Sequence, residues 1–294
     1  MPEVSSRITV GALNISASPH PAGVYRQALQ AVADKEVHIG GSDWAKITDP
    51  GPLDDKPDWL FGQILVWTRI DTAGRWLNKR RNREATPEEK GRIALPGELE
   101  PNFRAFDYIF IEPRHRLMLQ YRNEMGDHFG PKRAERLFSQ LLSPKFLAAD
   151  AADFSVTVVP EDDSVDKIFA IEKLRWLEIF IKRPNSDDIA DEAAKIHRGL
   201  RKIGAKSQTI KFVKAPKVKT LTPTPQIRKL ADVAATDGAV SGGGRDADGK
   251  PVDESTERHP KTRSFPVEGT SAFAAFLSAI RLFQTVAQPT KDDT

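Results

Sequence analysis

The chain has 294 residues, of which 39% are hydrophobic and 29% charged, and a formal net charge of +3. That is enough apolar residue for a sizeable core in one large or two medium domains. The absence of cysteine excludes disulfides, cysteine-ligated metal and a thiol nucleophile, and fits a reducing compartment.

In chain order, Arg7 to Ile15 alternates Ile8, Val10 and Ala12 against polar or small residues, the pattern of a strand. Pro19 and Pro21 interrupt it, and the spacing of Val24, Ala28, Ala31 and Val32 predicts a helix. Gly40 to Pro57 is rich in Gly, Pro and Asp and reads as a loop. Trp59 to Ile70, aromatic and branched, predicts a buried strand. Arg75 to Arg83 (RWLNKRRNR) holds five basic residues in nine and reads as an exposed basic loop. Phe106 to Glu112 and Arg116 to Tyr121 predict a hairpin turning at Pro113, Arg114 and His115. Pro131 suits a first helical position and opens a helix through Leu142.

Ala148 to Asp153 is a small-residue connector and a candidate boundary. A strand at Phe154 to Val159 precedes a short helix over Val165 to Ile171, for which Ser164 is a candidate cap. Trp176 to Arg183 (WLEIFIKR) predicts a strand ended by Pro184. Asn185 or Ser186 then caps a long helix with Ile189, Ala193, Ile196, Leu200 and Ile203 along one stripe. Gln208 to Val213 predicts a strand and Gln226 to Thr236 a helix. Ala239 to Ser255 predicts a hairpin turning at Asp246 to Gly249. Thr256 to Gly269 is polar and proline-bearing, and Ser271 to Val286 predicts a closing helix.

Helices and antiparallel-type hairpins without strict alternation define the class as α+β, with mixed, largely antiparallel sheets, packed helices and two lobes. The expected division is an N-terminal α+β domain over 1–150, a C-terminal α+β domain with the basic segment over 151–265, and a C-terminal helix and tail over 266–294. Met1 to Arg7 lacks the apolar core of a signal peptide. Ala272 to Ile280 is shorter than the roughly 20 residues of a spanning helix. The expectation is a cytoplasmic protein without a membrane span.

Charge is the informative feature. Ala193 to Ala231 contains eleven Lys and Arg residues and no Asp or Glu, which leaves the rest of the chain at −8. Such segregation steers a polyanion to one face. Part of it has a structural reading. The long helix starts with Asp187, Asp188, Asp191 and Glu192 and ends with Lys195, Arg198, Arg201 and Lys202, an order that complements the helix dipole. The dipole does not account for Lys206, Lys211, Lys214, Lys217 and Lys219, which lie beyond the helix. These lysines, with Arg198, Arg201 and Lys202, are the candidate phosphate contacts. Lys79, Arg80 and Arg81 in the basic loop are a second set, either clamping a backbone or simply solvated.

No catalytic motif emerges. The six histidines show no i, i+4 pair and no H-E-x-x-H, so no metal site and no cofactor is expected. Glu161, Asp162, Asp163 and Asp166 surround a helix start, where acids belong on dipole grounds; a hidden carboxylate cluster would instead make the protein a metal-dependent nuclease. Ser241 to Gly244 (SGGG) lacks the Gly-Lys-Ser/Thr of a nucleotide loop and reads as glycines in a bent hairpin.

The stretches ITVGALNISASPHPAGVY, LEIFIKRPNSDDIADEA (Leu177 to Ala193) and GRDADGKPVDESTERHP (Gly244 to Pro260) resemble the bacterial domain-of-unknown-function 4747 family over nearly the whole chain. That family brings no known active site. A strand with a basic, proline-terminated end, a charged helix, a proline-containing link and a hairpin with an Asp–Gly-type turn are more distantly similar to the phage-exclusion protein RexA. This second resemblance implies a dimeric, sequence-nonspecific DNA binder in anti-phage defence. The expectation is therefore a non-enzymatic nucleic-acid binder, with double-stranded DNA favoured and a homodimer expected. The alternative is an interaction or scaffold subunit of a defence complex whose basic face meets an acidic protein partner.

Overall fold

The computed structural model describes residues 6–148, 151–182, 198–200, 202–267 and 271–285. Two antiparallel sheets dominate, and the class is α+β as the sequence predicts.

The first sheet is built on β1 (Arg7–Ser18), long enough to pair with two strands in tandem along one side. Its first half pairs with β15 (Thr262–Pro266) and its second half with β10 (Asp153–Val158). On its other side lies β9 (Arg116–Arg122), followed by β8 (Arg104–Ile111) and β5 (Lys56–Thr68). β5 in turn carries β3 (Asp43–Ile47) and the short β4 (Gly51–Leu53), and β2 (Val37–Gly40) pairs with β3. The stretch expected as a loop, Gly40 to Pro57, is thus largely strand: β3, β4 and the start of β5 lie in it, with Ala45 and Ile47 buried at alternate positions, a pattern too short to stand out among the glycines and prolines around it. β15 also forms where the sequence suggested only a polar link, with Phe265 packed against the core under the sheet's second face.

Alternation along β1 divides its side chains between two cores. Leu13, Ile15 and Ala17 face α1 (Val24–Ala31) and α3 (Pro131–Leu141), whose Leu29, Leu137, Phe138 and Leu141 are buried against the sheet. Ile8, Val10 and Ala12 face the C-terminal helix α6 (Ala272–Thr285), which inserts Phe276, Ile280 and Phe283. α2 (Pro87–Lys90) is a single turn closed by a capping box between Thr86 and Glu89. β10 and β15 thus pair with β1, and α6 packs against the face of the same sheet that carries Ile8, Val10 and Ala12.

The second sheet runs β12 (Ser207–Val213), β11 (Lys173–Lys182), β13 (Gly238–Arg245) and β14 (Pro251–Ser255). One face packs Leu177, Ile179, Ile181 and Val240 against α4 (Ser164–Phe169) and α5 (Pro225–Asp237). Ser164 is the first residue of α4 rather than its cap; Asp163 precedes the helix and makes no side-chain capping bond. Thr224 caps α5 through the Ile227 amide. Asn14 reaches Asp237 at the end of α5 at 3.1 Å, tying the helix to β1. The expected long helix lies outside the described residues except for 198–200 and 202.

Candidate nucleic-acid interface

The outer face of the second sheet follows from strand register. Residues directly opposite on paired strands share a face. Trp176 is opposite Val213 and Gly243, Glu178 opposite Lys211 and Ser241, Phe180 opposite Thr209 and Ala239, and Lys182 opposite Ser207. The sequence WLEIFIK accordingly buries Leu177, Ile179 and Ile181 and turns Trp176, Glu178, Phe180 and Lys182 the other way, all half-buried. Trp176 and Phe180 belong to none of the three apolar cores formed by the described residues.

Each ring carries a lysine. Lys211 Nζ stands 5.6 Å from the Trp176 ring centre and 3.2 Å from the Glu178 carboxylate. Lys182 Nζ stands 5.9 Å from the Phe180 ring centre and donates to the Val156 carbonyl at 3.3 Å. Trp176 can lie across the sheet because its neighbour on β13 is glycine. A Cβ at Gly243 would meet Trp176 Nε1 at 2.6 Å and collide with the Asp253 carboxylate. The glycine run therefore serves close packing within a strand, as the bent-hairpin reading expects. From Phe180 and Lys182 the surface continues into a groove of about 250 Å³ between the two sheets, with Lys206 and Ser207 on one wall and Phe154 and Ser155 on the other.

The basic segment divides by environment. Lys206 Nζ pairs with Asp153 at 2.7 Å. Lys214 Nζ donates to the carbonyls of Ala215 at 3.0 Å and Val218 at 2.6 Å, so it closes the turn that follows β12. Lys217 and Lys219 project from that turn, exposed and without a partner among the described residues. Arg198 and Lys202 are likewise exposed and without such a partner. Arg201 lies outside the described residues. Arg228, on α5, pairs with Asp166 and stacks on Phe169, away from β12.

The basic loop is a two-stranded ribbon, β6 (Leu77–Asn78) with β7 (Arg83–Glu84). Acids spaced along it hold part of its charge: Arg75 pairs with Glu84, and Arg81 and Arg83 with Glu89 at 3.8 and 3.0 Å. Lys79 and Arg80 at the tip remain exposed and without a partner among the described residues. The ribbon leaves the first sheet between Thr68 and Arg104, level with the start of β1, whereas Lys206 docks beside Asp153 at its end. From Thr9 to Ser18 a strand runs about 30 Å. The two basic sets are therefore rooted at opposite ends of β1.

The acidic group is taken up by ion pairs. Lys167 pairs with Glu161 and Asp163, Lys261 with Asp162 at 2.8 Å, and Arg228 with Asp166. Among the described residues no group of three His, Asp or Glu side chains is placed to hold a metal ion. A larger cleft of about 590 Å³ lies between the sheets, beside Met118, Lys261, Asp232 and Phe283. Burial there pushes the Asp232 carboxyl above its ordinary value, against the pull of Arg228 and with the help of Asp166.

The aromatic members Trp176 and Phe180 were legible as strand residues but not as surface ones. Their exposure depends on α4 and α5 both covering the opposite face, a tertiary fact. The period-2 alternation of WLEIFIK was the available signal.

The fold and this surface define an α+β protein with an aromatic and lysine-bearing sheet face. The chain belongs to the family described as domain of unknown function DUF4747, whose model matches residues 6–281. No functionally curated protein matches it. No described helix is long and apolar enough to cross a membrane.

Proposed function

We propose that this protein binds nucleic acid without sequence specificity, through the outer face of the second sheet and the turn after β12. The observation that supports this most is the placement of Lys211: it stands over Trp176 on a sheet face outside the apolar cores of the described residues, with Lys217 and Lys219 exposed on the adjoining turn. Lysines of this kind pair with phosphates, and the release of condensed counterions drives binding. Phosphate contacts of this kind position a protein on nucleic acid without reading its sequence. The setting in anti-phage defence and a homodimeric state rest on the resemblance to RexA and are part of the proposal; the duplex target that the same resemblance implies is not carried over, because the sheet face favours another form of nucleic acid.

The test is fluorescence anisotropy with a mixed-sequence DNA across a salt series. Contact with roughly four phosphates lowers affinity about a hundredfold between about 50 and 200 mM salt. Lys211, Lys217 and Lys219 changed together to Glu should abolish most binding. Lys214 is left intact because it holds the turn. A flat salt response, or undiminished binding by the triple variant, contradicts the proposal.

A further inference from the structure

We infer that the nucleic acid taken by this face is single-stranded, its unpaired bases stacking on Trp176 and Phe180. The inference rests on the nucleic-acid reading above and names the form of the ligand.

Four strands spaced about 4.8 Å apart make a face about 14 Å wide between its outer strands. That is broader than the roughly 12 Å major groove. The face cannot enter a duplex, and a duplex keeps its bases inside the stack, where a ring on a flat surface does not reach them. Unpaired bases carry their own π-faces to the surface, and aromatic rings on a sheet accept them regardless of sequence.

The details of the face fit this use. Trp176 and Phe180 point the same way from β11, about 13 Å apart along the strand. Gly243 removes the side chain that would lift the indole off the sheet. Among the described residues Trp176 sits outside the three cores, and Phe180, also outside them, lines the groove beside Leu142 and Phe154. Lys211 beside one ring and Lys182 beside the other place a cation where the phosphate linking stacked nucleotides would pass. Glu178, between the rings, holds Lys211 in position at 3.2 Å until a phosphate competes for it. The groove beyond Phe180, with Lys206 and Ser207 on its wall, continues the track for the strand.

The experiment compares a single-stranded oligothymidylate with a duplex of the same length, bound to the full chain at one salt concentration. The single strand should bind about tenfold more tightly or better, and Trp176→Ala should weaken it about tenfold or more while leaving duplex binding unchanged. Because Trp176→Ala removes a half-buried ring from the sheet, Trp176→Phe provides the second arm. It keeps a stacking ring and should retain affinity. Oligothymidylate should quench the intrinsic fluorescence of the wild type, and that quenching should be lost in Trp176→Phe. Duplex binding equal to single-strand binding, together with quenching unchanged in Trp176→Phe, overturns the stacking inference and leaves salt-dependent nucleic-acid binding standing. Failure to bind either form overturns both.

Discussion

Trp176 lies against the backbone of Gly243, so closely that a methyl group at that glycine would come within 2.6 Å of the indole nitrogen. Gly243→Ala must therefore move the ring or the strand. Overpacking of this sort costs about 1–3 kcal/mol, which urea denaturation monitored by circular dichroism would measure. The variant should also lose affinity for oligonucleotides out of proportion to its stability loss, since a displaced ring presents its edge rather than its face.

Lys214 and Lys217 are three residues apart and should behave differently. Lys214 closes its turn with two bonds to backbone carbonyls, each contributing about 0.5–1.5 kcal/mol or somewhat more for a charged donor. Lys214→Met should lower the stability measured in urea. Lys217→Glu, at an exposed position, should leave stability within about 0.5 kcal/mol and reduce binding and its salt dependence.

Asp43 joins β3, β8 and α3, accepting from Arg104 at 3.0 Å and from Arg133 at 2.8 Å. Burial raises its carboxyl pKa, but Arg104, Thr68 and Arg133 outweigh that and hold it below the ordinary value of 3.8. A depressed carboxyl stabilises the folded state above its unfolded pKa, and this contribution disappears as pH falls through the folded value. Asp43→Asn should cost about 1.5–3 kcal/mol at neutral pH. Urea titrations repeated towards pH 3 should show the gap between wild type and variant narrowing, and a gap independent of pH would refute the assignment.

The C-terminal helix covers the second face of the first sheet, with Phe276 fully buried and Phe273 stacked edge-on against Phe61 at 4.7 Å. Phe276→Ala should cost about 3–5 kcal/mol in thermal or urea unfolding. Removing 272–285 should uncover Ile8, Val10, Ile109 and Met118, and the truncated chain should aggregate on a sizing column.

Much of this architecture was legible in the sequence because local pattern and burial agree. The 2-residue alternation of β1, β8 and β9 and the apolar stripe of α3 lead directly to the elements observed. The strands within 37–53 were hidden because Gly40, Gly41 and Pro52 dominate short runs whose apolar residues pack only through distant partners. The association of β10 and β15 with β1 depends on pairings more than a hundred residues apart in sequence, and no local pattern encodes it. The lysine cluster was visible as composition. Its division into Lys206 and Lys214, engaged within the fold, and Lys217 and Lys219, left exposed, came from where acids and carbonyls happen to lie. The two rings beside Lys211 and Lys182 were hidden for a related reason: a half-buried aromatic on a strand reads the same whether its face is covered or open.

The most direct test of the nucleic-acid assignment is photocrosslinking with a halogenated single-stranded oligonucleotide, followed by mass-spectrometric mapping of the modified peptides. Adducts should concentrate at Trp176, Phe180 and the turn from Lys214 to Lys219, and high salt should suppress them. Adducts confined to the ribbon of Lys79 and Arg80, or none at all, would contradict the assignment of this face.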